Sequence, residues 1–148
     1  MALKERIQED MKSAMRSGEK EKLATIRLIL SAVKQREVDE RIMLDDTQVL
    51  TVLEKMVKQR KESIVQFEAG GRADLVAKET AELQVLQSYL PEPLSDAELD
   101  ALIAQAISAT GAATIKDMGK VMAQVKAAAQ GRADMAAVGS RIKAKLSA

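Results

Sequence analysis

"LPEPLSDAEL", Leu90–Leu99, holds both prolines of the 148-residue chain, Pro91 and Pro93. A proline fixes its own φ, removes a backbone donor and biases the preceding residue away from helix. Two in alternation predict a short, stiff, extended linker over residues 91–95. Ser95 and Glu98 then form an S-x-x-E capping box that starts a helix. The stretch therefore divides the chain into an N-terminal helical domain over 1–90 and a three-helix C-terminal domain over 96–148.

Upstream, the spacing predicts about four helices. The first covers Ala2 to Ser17 and ends near Gly18. The second, from Lys20 to Asp39, sets Leu23, Ile26, Leu30 and Val33 on one stripe, opposite polar residues. Asp45 caps the third with Gln48 as its capping-box partner. Its stripe is Val49, Leu53, Met56, Ser63 and Phe67, and Gly70–Gly71 stops it. Asp74 caps the fourth, which aligns Leu75, Glu79, Leu83, Leu86 and Leu90.

Downstream, Leu99, Leu102, Ile103, Ala106 and Ile107 give the fifth helix its apolar face, and Gly111 ends it. Thr114 caps a helix running through "IKDMGKVM", and Gly131 ends that one. Asp134 caps the last, in which Met135, Val138, Ile142 and Leu146 align. "GRAD" occurs at 71–74 and again at 131–134. Glycine ending one helix and aspartate capping the next accounts for it without a duplication.

Composition excludes several chemistries. The chain has no cysteine and no histidine. It offers no disulfide, no thiol nucleophile and no imidazole, so Ser–His and Cys–His catalysis are out and zinc loses its preferred ligands. Carboxylates, lysines and Tyr89 remain for acid–base work. Phe67 and Tyr89 are the only aromatics, so stacking platforms for single-stranded bases are missing. The core must be aliphatic, and the composition is that of an all-α protein. No run is long and apolar enough to span a membrane, and "MALKERIQED" lacks an apolar signal core. These features predict a cytoplasmic protein without cofactor, metal site or catalytic residues.

Charge is unevenly spread. Residues 1–90 carry sixteen bases and sixteen acids, residues 91–109 four acids and no base, and residues 110–148 seven bases against two acids. The basic tail merits a closer reading. At 100° per residue, Ile115, Met118, Met122, Val125 and Ala129 cluster as a core stripe. Gly119, Ala123 and Ala127 fall beside it as a strip with almost no side chain, flanked by Lys116 and Lys120. Lys126 lies near the boundary. Gly139 sits similarly beside the last helix's stripe, with Lys143 on the same flank and Arg141 and Lys145 on the other.

Two explanations fit the bare strip. A neighbouring helix crosses closely over it, or a sugar–phosphate backbone lies there while lysines pair with phosphates. The other charged clusters have plainer readings. Lys55, Lys58, Arg60 and Lys61 face acids, including Glu79 and Glu82, that neutralise them as salt-bridged scaffold. The regularly spaced methionines fill core.

"KMVKQRKESIVQFEAGGRADLVAKETAELQVLQSYLPEPLS" together with "IKDMGKVMAQVKAAAQGRAD" resembles the YqeY family, which is grouped with the tail domain of GatB, a subunit of the tRNA-dependent amidotransferase. The similarity covers the whole chain. Gly111, Lys116–Met122, Gly131 and Arg132 match motif positions. Ala123 stands where a second glycine sometimes follows "KVM", which keeps the strip small. The resemblance implies a GatB-tail-like C-terminal domain and a non-catalytic accessory protein that binds tRNA, in the context of tRNA aminoacylation or amidation. Lys116, Gly119, Lys120, Lys126, Arg132, Arg141, Lys143 and Lys145 form the candidate nucleic-acid-binding set. An alternative is a protein-interaction module that docks on an aminoacyl-tRNA synthetase or amidotransferase. GatB's catalytic cradle is absent, so carbon–nitrogen ligase chemistry with glutamine as amide donor is not carried over to this chain.

Overall fold

The computed structural model describes residues 2–147. Among them the chain forms seven α-helices, one 3₁₀ turn and no strand, as the all-α expectation required. The helices are α1 (Leu3–Ser17), α2 (Lys20–Glu40), α3 (Asp46–Ala69), α4 (Ala73–Gln87), α5 (Asp96–Thr110), α6 (Met118–Ala129) and α7 (Met135–Ser147), and the 3₁₀ turn spans Ile115–Asp117. They fall into two compact units, Met1–Leu90 and Pro91–Ala148. Each has its own aliphatic core.

In the first unit, α1 stops at Gly18, whose φ of 72° suits a residue without Cβ. Helix α2 buries Ile26 and Val33 and half-buries Leu23 and Leu30. Ile29, outside the expected stripe, is fully buried as well. The reason is that α2 packs against α1, α3 and α4, so its apolar face is broader than one row.

The corner after α2 is unusual. Arg41 takes a left-handed conformation with φ 56°, the only positive φ among described non-glycine residues. The Ile42 N–H reaches back to the Glu37 carbonyl at 3.2 Å, closing a Schellman-type end. The Glu37 carboxylate, buried at the corner, accepts from Lys4 Nζ at 2.8 Å and from the Leu44 N–H at 2.9 Å. One side chain thus ties the start of α1 to the α2–α3 connection. The Lys4 bond, then the Leu44 N–H, hold its carboxyl below the usual range.

Asp45 then caps α3 as read, with both arms of the Asp45–Gln48 box at 2.9 Å. Arg60 joins α3 to α4 through Glu82 at 2.8 Å and Glu79 at 3.2 Å, so the two carboxylates are structural partners. Asp74 is a correction. Helix α4 starts at Ala73 with Arg72 in the capping position, and no side chain caps it. Asp74 lies in the first turn, where its charge favours the helix dipole, and it pairs with Arg72 at 3.1 Å. Tyr89 is buried and donates to Asp10 Oδ2 at 2.6 Å, with the Arg6 guanidinium 5.2 Å from its ring centre. Burial and the Asp10 bond push its ionisation up, so it stays a protonated tether.

In the second unit, the Ser95–Glu98 capping box forms and Gly111 closes α5 at φ 66°. Helix α6 departs from the reading. It begins at Met118, and Ile115–Asp117 form the 3₁₀ turn. Three residues per turn replace 3.6 there, so the 100° projection fails at Ile115. That side chain is 45% exposed, and Val121 takes the fully buried place beside Val125 and Ala129. Gly131 turns the chain at φ 76°, and Asp134 accepts the Ala136 N–H at 3.0 Å to cap α7. Val138, Ile142 and Leu146 are buried from α7.

Two expectations follow. Arg41→Gly removes the left-handed penalty and should stabilise the protein by up to about 1 kcal/mol, read as a higher urea midpoint at unchanged slope. Unchanged or lower stability would show that the corner holds no strain. Glu37 contributes most above its ordinary value of 4.5 and loses its contribution as pH falls through the lowered folded value. Glu37→Gln should therefore destabilise the chain at neutral pH and flatten the acid limb of its stability curve, measured by thermal melts across pH.

Candidate nucleic-acid interface

The candidate side chains all lie in the second unit, on the 3₁₀ turn, α6, α7 and the corner between those helices. Lys116 belongs to the 3₁₀ turn and is exposed. The turn is held by Asp117, whose Oδ2 accepts the N–H groups of Ala113 at 3.0 Å and Thr114 at 3.3 Å. Those two donors, Ala113 first, lower its ionisation, and the positive charge of Lys120 adds to the effect. The sequence reading passed over Asp117, although Thr114 and Asp117 carry the T-x-x-D spacing of a capping box.

Gly119 sits in the first turn of α6 and is exposed. A Cβ built there would meet nothing within 4 Å. Ala123 and Ala127 are exposed too. Gly139, by contrast, is buried, and an added Cβ would meet the Met118 methyl at 3.6 Å and that of Met122 at 3.7 Å, ordinary van der Waals contact. Thus α6 rests on α7 through its methionines, and the Gly119 strip stays bare.

The basic residues separate into two kinds. Arg132 Nε donates to the Glu92 carbonyl at 2.8 Å, its carbonyl accepts the Leu94 N–H at 2.8 Å, and its guanidinium lies 3.8 Å from Glu98. It pins the segment before α5. Arg141 forks across α5, with Nη2 2.6 Å from Asp96 and Nη1 3.0 Å from Asp100. Both arginines are working inside the fold, a use that sequence spacing hides because the partners lie about 40 residues away. Lys116, Lys120, Lys126, Lys143 and Lys145 are exposed and form no ion pair within 4 Å among the described residues. Lysine is strongly hydrated and flexible, suited to pairing with phosphate as a point charge. Among the described residues no cluster of carboxylates could hold a metal ion, and no helix is long and apolar enough to cross a membrane.

The chain is similar to fungal proteins named "Altered inheritance of mitochondria protein 41, mitochondrial". The identity is 34% with the one from Pyrenophora tritici-repentis, over 86% of this chain and 71% of the relative. It is 37% with that of Eremothecium gossypii, over 80% and 67%, and 36% with that of Kluyveromyces lactis, over 69% and 57%. These names overturn the cytoplasmic expectation: the relatives are mitochondrial proteins. A missing apolar signal core was the wrong test, since mitochondrial addresses are amphipathic and Arg-rich. The family model described as "Yqey-like protein" matches residues 4–146. From α1 through nearly the end of α7, then, the chain belongs to the YqeY family.

Proposed function

We propose that this chain is a non-catalytic accessory protein that binds tRNA through its second unit, in the service of tRNA aminoacylation or amidation. The observation that carries the reading is the lysine-edged bare strip: Lys116 and Lys120 beside an open Gly119, with Lys126, Lys143 and Lys145 exposed on the same small unit. The resemblance to the GatB tail domain supports the choice of tRNA. Folded RNA presents phosphates and 2′-hydroxyls over a shallow groove, and proteins without stacking aromatics recognise it by shape and charge. Here the backbone approaches where no Cβ stands in the way, and the ammonium groups displace condensed counterions. Arg132 and Arg141 serve this surface indirectly by holding α7 and the preceding segment against α5.

Binding to unmodified tRNA should fall by orders of magnitude between about 50 and 200 mM salt. Lys116→Ala with Lys120→Ala should weaken it about equally for all tRNA sequences and reduce the salt slope by about 2. Filter binding across the salt series measures both. No retention of tRNA at the low-salt end would end the proposal. Gly119→Leu separates fit from folding. Nothing in the fold meets its added side chain, so its melting temperature should hold or rise, glycine costing a helix roughly 1 kcal/mol. Its tRNA affinity should fall all the same. Unaltered affinity would move the contact off the strip.

A further inference from the structure

The corner between α2 and α3 carries apolar surface that the core does not use. Val38 is 60% exposed, Ile42 39% and Met43 75%. They follow one another across the bend at Arg41, the one described non-glycine residue with positive φ. Met43, the last of them, also lines an open groove of about 720 Å³ between the start of α1 and the start of α3. Buried Leu44 and exposed Met43 line it together with Glu5, Gln8, Asp45 and Asp46.

The charges of this groove choose its occupant. Lys4, the one base among the described lining residues, is engaged by Glu37. Glu5, Asp45 and Asp46 form no ion pair within 4 Å among the described residues; Asp45 accepts the Gln48 N–H and Asp46 the Leu3 N–H, which leaves their charge in place. Along α2, Arg36 pairs with Glu40, and Asp39 accepts from Gln35. The N-termini of α1 and α3, both at the groove, each contribute about half a positive charge. Three acids against Lys4 still leave the described lining residues with a negative excess, which repels nucleic acid and attracts a basic polypeptide.

We infer that this corner docks a segment of a partner protein that is apolar on one side and rich in Lys or Arg on the other. Apolar side chains of the segment cover Met43, Ile42 and Val38, and its basic groups face Glu5, Asp45 and Asp46. Exposed apolar side chains rimmed by like charges are the arrangement of an interaction site. The sign of the rim gives specificity by excluding acidic partners. This surface lies in the first unit and is independent of tRNA binding by the second.

The test uses the whole chain and three synthetic helical peptides: one with leucine on one face and lysine on the other, one with glutamate replacing lysine, and one with serine replacing leucine. Fluorescence anisotropy should show the leucine–lysine peptide binding at least about tenfold tighter than either control. Met43→Ser with Ile42→Ser should remove most of that advantage, while Val65→Ser, at an exposed apolar residue of α3, leaves it intact. Both substituted positions are already in solvent, and a melting curve verifies the fold. Equal binding of the serine–lysine peptide, or indifference to the corner substitutions, overturns the inference. So does a dimer of the chain that dissolves on Met43→Ser, which would make a second copy the occupant.

Discussion

The helices of this protein hold together through aliphatic side chains almost alone. With one phenylalanine and one tyrosine in 148 residues and neither cysteine nor histidine, no aromatic cluster, disulfide or zinc site can substitute for a helix that packs badly. Each helix must therefore present a continuous face of Leu, Ile, Val, Ala or Met, and the cores are built from such faces. The burden is heaviest in the smaller unit, since small domains bury the least of their surface. There the arginine ties from α7 to Asp96 and Asp100, and from Arg132 to the segment before α5, add hydrogen-bonded contacts where apolar area is short.

That constraint also organises the surface. Positions off the apolar face are free for charge, and the two units use the freedom differently. The first balances its acids and bases, and pairs Lys4 with Glu37 and Arg60 with Glu79 and Glu82. The second concentrates its acids before and along α5 and its bases after it. Asp96, Glu98 and Asp100 are met by arginine, and its lysines are left to the solvent.

The fold was legible because its signals are local. Capping boxes at Asp45–Gln48 and Ser95–Glu98 and glycine stops at Gly18, Gly111 and Gly131 depend on neighbours within a few residues. Where a local rule changed, the reading slipped. Three 3₁₀ residues turned Ile115 outward and brought Val121 in. Asp74, spaced like a cap, joined the helix instead because Arg72 occupies the capping position. The candidate site was legible only in composition. Lysines and arginines weigh alike in a charge count, and nothing in their spacing reveals that Arg132 and Arg141 reach partners across the unit. Nor does spacing say that Gly139 is buried against α6 while Gly119 stays open.

The separation of the two cation types has a physical consequence. In the second unit the planar, rigid guanidinium groups of Arg132 and Arg141 tie helices and segments together, and the ammonium groups form no ion pair within 4 Å among the described residues. A polyanion held by such tethered, well-hydrated charges is not locked in one pose. On the proposed reading, it would trade one phosphate for the next with little loss, giving brief residence and a loose orientation.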